Sequence, residues 1–253
     1  MTEKILYPDP TDEELSAALA AAFEANGLPE EVYQRLESYK KLTRMLLEFN
    51  RHTNITAITD PARLAVLHYC DSLTVSAELP QGARMADIGC GGGFPTLPLA
   101  IARPDIAITA IDSTAKKLKF VTAAAEALGL SGISALPIRA EDGARDAALR
   151  ERFDCVTARA VAALPMLCEL CLPYLRVGGS FCAMKGPRGE EEAAEARRAI
   201  ETLGGKLHAV RRLTLHGIAD ETPERTIVII RKIAPTPPGY PRAYGRIKQK
   251  PIV

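Results

Sequence analysis

The sequence MADIGCGGGFPTLPLAIARPDIAITAID occupies residues 85–112. An apolar run ends at Asp87-Ile88, glycines follow at Gly89, Gly91 and Gly93, and a helical pattern starts near Pro95. Glycine tolerates positive φ at such a strand-to-helix bend and puts no side chain in the way of a ligand. The start of the next helix offers free N–H groups and a partial positive charge. A dinucleotide site would read G-x-G-x-x-G, the third glycine allowing close contact between helix and strand. Counted from Gly89, that third position is Phe94, and the pattern here is G-x-G-x-G behind the acid Asp87. This favours S-adenosylmethionine over NAD. Asp112 closes the next apolar run, 23 residues after Gly89. A carboxylate there accepts hydrogen bonds from ribose hydroxyls. The same carboxylate also suits a cap on the helix that follows at Thr114.

On the C-terminal side the alternation continues. Strand candidates cover residues 84–88, 106–111, 133–138, 153–158 and 179–184, with helix candidates between them at 97–103, 114–128, 163–175 and 190–203. Strand and helix alternating in this way predict right-handed crossovers and a parallel sheet. Residues 207–215 and 225–233 lack a long helix between them and read as a closing antiparallel pair at the sheet edge. The third strand leads into Arg139-Ala140-Glu141-Asp142, acids within reach of an adenine amino group, and the fourth leads into Arg159. Both positions fall at carboxyl ends of strands, where open α/β sheets bind ligands. On the N-terminal side, residues 11–26, 29–50 and 60–79 show helical spacing, the last opening with Asp60-Pro61 as cap and first turn. The predicted organisation is a helical extension over 1–80, a core over 81–234 and a basic tail over 235–253. The tail, PTPPGYPRAYGRIKQKPIV, is expected to lack regular structure.

Composition narrows the function class. Apolar residues are 47% and charged residues 25% of 253, ordinary for a globular protein. No apolar run reaches the roughly 18–20 residues of a membrane span. Residues 1–10 lack the basic-then-apolar order of a secretory leader, so a cytoplasmic protein is expected. The spacing of Cys70, Cys90, Cys155, Cys168, Cys171 and Cys182 shows no disulfide framework. Cys168 and Cys171 form C-x-x-C inside a helical pattern; with no second pair and no nearby histidine they read as core residues, and no metal is expected. The net charge of +1 is unevenly spread: residues 1–50 carry ten acids and five bases, whereas 231–253 carry six bases and no acid. Such a tail suits either a polyanion such as RNA or plain solvation. His52 and His68 could serve as catalytic groups or, like Asn54 and Asp71, as structural residues that fix the helical extension against the core or shape a substrate entrance.

Several segments in order resemble the bacterial methyltransferase G family, also called the glucose-inhibited division protein B family. They are residues 50–58 (NRHTNITAI), 68–73 (HYCDSL), 87–98 and 112–117, then Arg159-Ala160, Met184-Lys185-Gly186 and the closing Arg231-Lys232, Pro235-Thr236-Pro237 and Tyr240-Pro241-Arg242. The resemblance implies a class I S-adenosylmethionine-dependent methyltransferase: a Rossmann-like α/β fold with a mostly parallel seven-stranded sheet, an antiparallel closing strand and an N-terminal helical extension. It implies methylation of guanine N7 in 16S ribosomal RNA, at nucleotide 527. It implies cofactor contacts at Gly89, Phe94, Asp112, Ser113, Thr114, Ala140, Glu141 and Arg159. One departure is Thr96, where the family usually has glycine.

Guanine N7 carries an in-plane lone pair and no proton, so no catalytic side chain is expected and positioning should supply the rate. The expected partner is 16S rRNA or the small ribosomal subunit, and a monomer is expected. RNA contacts are expected from Lys185, Arg188, Arg242, Arg246, Lys248 and Lys250, with Tyr240 and Tyr244 interleaved. On this reading, deleting the chain from Pro235 onward should weaken RNA binding and leave cofactor binding intact. The competing readings are a class I methyltransferase with another RNA, protein or small-molecule substrate, an RNA-binding protein without transfer activity, and an NAD-dependent oxidoreductase.

Overall fold

In the computed structural model, which describes residues 10–253, seven strands form one sheet in the order β3-β2-β1-β4-β5-β7-β6. Residues 1–9, which make up nearly all of the segment read as carrying no leader, lie outside the described residues. The strands are β1 (Arg84–Ile88), β2 (Ala107–Ile111), β3 (Ile133–Leu136), β4 (Phe153–Arg159), β5 (Leu175–Lys185), β6 (Gly205–Thr214) and β7 (Glu224–Lys232). β1 runs parallel to β2, with Ile88 opposite Ile111, and parallel to β4, with Asp87 opposite Thr157. Only Arg84 of β1 is exposed, which explains why this strand reads as an apolar run rather than an alternating one. β7 is antiparallel to both β5 and β6. Strand order reverses between β1 and β4, and that switch point opens a crevice beyond the carboxyl ends of the strands.

Each face of the sheet carries a core. On one face the helices Asp12–Ala25, Leu36–Thr53, Thr96–Ala102 and Ala115–Leu128 share a cluster that includes Phe23, Leu42, Leu46, Leu97 and Phe120. On the other, Leu164–Cys171, Gly189–Glu195 and Arg197–Thr202 cover Leu167, Cys171, Phe181 and Ile200. Burying each such side chain contributes about 1.5–3 kcal/mol. The helices before β1 therefore share their core with the sheet. Rings of Phe23 and Tyr39 lie 5.2 Å apart, Tyr39 and Tyr69 5.3 Å, and Tyr69 and Phe94 6.2 Å, an aromatic line from the first helix to the glycine bend.

Local signals explain most helix limits. Thr11 and Glu14 form a reciprocal capping box at the start of Asp12–Ala25. Asp60 accepts the Arg63 N–H and Pro61 occupies the first turn, as expected. Residues 29–50 divide into Glu30–Tyr33 and Leu36–Thr53, and residues 190–203 divide likewise after Glu195. The helix from Pro61 widens to a π-helix over Ala65–Cys70.

The segment after Lys232 departs from its expected irregularity. Proline removes N–H donors but leaves carbonyls to be satisfied. Here Arg150 donates to the carbonyls of Thr236 and Tyr240, and Arg145 to that of Pro241. A short helix, Tyr244–Gln249, then docks Ile247, fully buried, into the second core. Three of the six bases beyond residue 230 are also engaged by the fold. Arg231 donates to Ser180, Lys232 lies buried against the carbonyls of Leu172 and Leu203, and Arg242 pairs with buried Glu169.

Candidate functional site

The bend after β1 is built from residues that must be small. Gly89, Gly91 and Gly93 all have positive φ. A Cβ on Gly89 would also sit 2.6 Å from Val161 Cγ2. The neighbouring Gly92, which the sequence pattern did not single out, has an ordinary φ, but a Cβ there would collide with Ile55 of the helical extension. Gly89 and Cys90 both donate their N–H to the Ile111 carbonyl, which ties the bend to the end of β2.

Beneath the bend, Asp87 is fully buried. It accepts hydrogen bonds from Thr96 Oγ1 at 2.7 Å and Thr157 Oγ1 at 3.2 Å. Burial pushes its carboxyl up to about 6, against the pull of the two hydroxyls. Thr96 thus starts the Thr96–Ala102 helix and partners the buried acid, a role the family's usual glycine could not fill.

A cavity of about 450 Å³ opens above the bend. Of the expected cofactor residues, Gly89, Phe94, Asp112, Ser113, Ala140, Glu141 and Arg159 line it; Thr114 does not. Asp112 accepts the Gly91 N–H at 2.9 Å through Oδ2 and the Thr114 N–H at 2.7 Å through Oδ1. It therefore braces the bend and the next helix start together, and retains lone pairs for a ligand. Glu141 is buried, 6% exposed, and accepts no hydrogen bond from any described residue. No side-chain oxygen among the described residues is both sealed from solvent and unpaired, so the Glu141 carboxylate reaches the open cavity, where a ligand can donate to it.

Arg159 reaches the helical extension. It donates to the Leu67 carbonyl at 2.9 Å and to Asp71 at 3.0 Å, and its guanidinium lies 5.6 Å from the centre of the Phe94 ring. His68 stacks on Phe94, ring centres 4.4 Å apart. Arg159 Nη2 also lies 3.4 Å from His68 Nδ1, and a guanidinium can only donate. Nδ1 therefore accepts, the proton sits on Nε2, and Nε2 donates to Thr56 Oγ1 at 2.8 Å. Burial, reinforced by the Arg159 charge, lowers the imidazole to about 3. Asp71 additionally accepts from Arg225 Nε at 3.1 Å. Burial pushes the Cys90 thiol up, away from the thiolate form. Cys168 and Cys171 are fully buried, and no metal-ligating cluster exists among the described residues.

The residues expected to meet RNA are scattered. Lys185 donates to the Ala162 carbonyl and pairs with Glu192 at 2.8 Å; exposed Arg188 pairs with Glu191 at 2.9 Å. Arg246, Lys248 and Lys250 are exposed. Arg242 is held by Glu169 through three bonds of 2.7–3.2 Å, so its charge is already neutralised. Ile55, Thr56, Lys117 and Tyr244 also line the cavity, although no local pattern marked them as cofactor residues.

A family model described as rRNA small subunit methyltransferase G matches residues 35–220. The chain belongs to this family. Its relatives in the family include a ribosomal RNA small subunit methyltransferase G from Lactobacillus delbrueckii subsp. bulgaricus, 42% identical over 85% of this chain and 91% of the relative. One from Clostridium beijerinckii is 41% identical over 89% and 92%. Among solved structures, M. jannaschii TYW2 in complex with AdoMet superposes with a TM-score of 0.52 at 15% identity, over 64% of this chain and 75% of that one. A 16S rRNA (adenine(1408)-N(1))-methyltransferase from Catenulisporales acidiphilia gives 0.50 at 14% identity, over 66% and 92%. The chain thus has the class I methyltransferase fold, with helices before β1.

Proposed function

We propose that this protein transfers a methyl group from S-adenosylmethionine to guanine N7 at nucleotide 527 of 16S ribosomal RNA. The observation that carries the reading is the pairing of two acids across one cavity. Asp112 is braced at the end of β2, and Glu141 is buried with no partner of its own. On this reading Asp112 accepts from the ribose hydroxyls and Glu141 from the adenine amino group. Gly89 and Gly91 leave backbone exposed beside them. Phe94, packed against His68 and Arg159, bounds the other end.

When bound, the cofactor supplies an electrophilic methyl on a sulfonium sulfur. Guanine N7 attacks with a lone pair and has no proton to lose, so the protein needs no base. His68, held neutral and hydrogen-bonded on both nitrogens, serves as structure. Alignment of donor and acceptor can supply up to about 7–11 kcal/mol of the barrier. RNA phosphates meet Arg188, Arg246, Lys248 and Lys250; Arg242 and Lys185 are withdrawn from this set because Glu169 and Glu192 already hold them. The name shared by the relatives indicates ribosomal RNA as substrate; activity in the cytoplasm, by a monomer, is part of the same proposal. No helix of the described residues is long and apolar enough to cross a membrane.

The test is transfer of labelled methyl to small ribosomal subunits and to bare rRNA, followed by mapping of the modified base. Label at a guanine N7 of 16S rRNA is expected. Label appearing only in protein or in a small molecule would overturn the assignment.

A further inference from the structure

We propose that Tyr244 walls the nucleoside half of the cavity and sets its affinity for adenosyl compounds. The proposal rests on the reading of this cavity as the S-adenosylmethionine site. Strand order divides the cavity into two ends. Gly89, Phe94 and Arg159 follow β1 and β4, while Ile138, Ala140 and Glu141 follow β3, beyond Asp112 at the end of β2. If Asp112 holds the ribose, the base lies toward β3. The Tyr244–Gln249 helix packs against Leu164–Cys171, whose Leu170 lines the same cavity. Tyr174, which follows that helix, donates to the Ala140 carbonyl at 2.7 Å. Tyr244, Leu170 and Ala140 thus belong to the purine end.

The scaffold around Tyr244 is tightly held. Arg242 is clamped to Glu169 through both its backbone N–H and its guanidinium, Arg150 binds the Tyr240 carbonyl at 2.8 Å, and Ile247 is fully buried. Tyr244 itself is 39% exposed; among the described residues its ring has no aromatic partner and its hydroxyl no hydrogen bond. A half-exposed aromatic ring, rigidly mounted at a cavity and unused by the fold, is a stacking surface for a purine. Aromatic side chains stack on bases without depending on hydrogen-bond pattern.

The experiment is calorimetric binding of S-adenosylhomocysteine and 5′-methylthioadenosine, without RNA, to wild type, Tyr244→Ala and Tyr244→Phe. Both ligands carry the adenosine group and only the first carries the amino-acid end. Tyr244→Ala should weaken both by a similar factor of roughly ten, and Tyr244→Phe should bind like wild type. Melting temperatures establish that both variants stay folded. Wild-type binding with unchanged affinity in Tyr244→Ala overturns the proposal and leaves the cofactor reading standing. So does a raised KM for RNA at constant affinity for S-adenosylhomocysteine, which would assign Tyr244 to RNA. If wild type binds neither compound, the cofactor reading falls and takes the proposal with it.

Discussion

Asp112 and Glu141 differ in what they already hold. Asp112 carries two backbone N–H bonds, so Asp112→Ala should loosen the bend and lower both melting temperature and cofactor affinity. Glu141 has no protein partner, so Glu141→Ala should weaken S-adenosylhomocysteine binding by about tenfold or more at unchanged thermal stability. Calorimetry with a parallel melt separates the two cases, and a Glu141→Ala protein of wild-type affinity would remove the adenine role. His68 makes a pH-dependent prediction. Its unfolded value is 6.5 and its folded value about 3. Between these the unfolded chain binds a proton that the native chain refuses. This contribution to stability is complete above about 6.5 and is lost as pH falls toward 3. Asp87 opposes it: a folded value of about 6 against 3.8 means the native chain keeps a proton that the unfolded one has released, so stability falls as pH rises between those values. In His68→Gln, urea unfolding from pH 6 to 4 should lose up to about 1.4 kcal/mol of pH dependence per unit. An unchanged slope would show that His68 titrates normally.

Asp71 ends the widened helix at Ala65–Cys70 and binds Arg159 on β4 and Arg225 on β7. It is 4% exposed. Asp71→Ala should therefore cost about 3–5 kcal/mol in denaturant unfolding, the usual effect of leaving buried charges uncompensated. A loss under 1 kcal/mol would mean that the two arginines find other partners. At this scale the sequence was most legible where the signal was local. Alternating apolar runs placed every strand of the core, and Thr11 and Asp60 marked helix starts by side chains three residues from their partners. Legibility failed in residues 235–253, because order there depends on Glu169, Arg150 and Arg145, which no local pattern connects to a proline-rich stretch. Deletion from Pro235 is for the same reason expected to disturb cofactor binding as well, since it strips Ile247 from the core and leaves buried Glu169 without its cation. The glycine bend and Asp112 were readable because one crossover brings them together. Tyr244 was not, since it comes to the cavity from the far end of the chain.

Over the whole molecule, acids dominate the first fifty residues, and of the six bases beyond residue 230 the three with no side-chain partner among the described residues, Arg246, Lys248 and Lys250, sit on the Tyr244–Gln249 helix and just after it. Replacing Arg246, Lys248 and Lys250 together with alanine should weaken RNA binding. It should also flatten the logarithmic salt dependence by about two to three, since each phosphate contact contributes roughly 0.7–0.9 to the slope. Cofactor affinity should hold, because none of the three lines the cavity. An unaltered salt slope would move the RNA surface elsewhere. The clamp between Glu169 and Arg242 also bears on synthesis. The two residues are 73 positions apart. A ribosome that has made Glu169 must add all the intervening residues before the compensating guanidinium exists. Until then the emerging polypeptide has a lone anion where its second core should close, so this half of the protein sets late in translation and a stalled chain would be recognisable by protease sensitivity around residues 164–171.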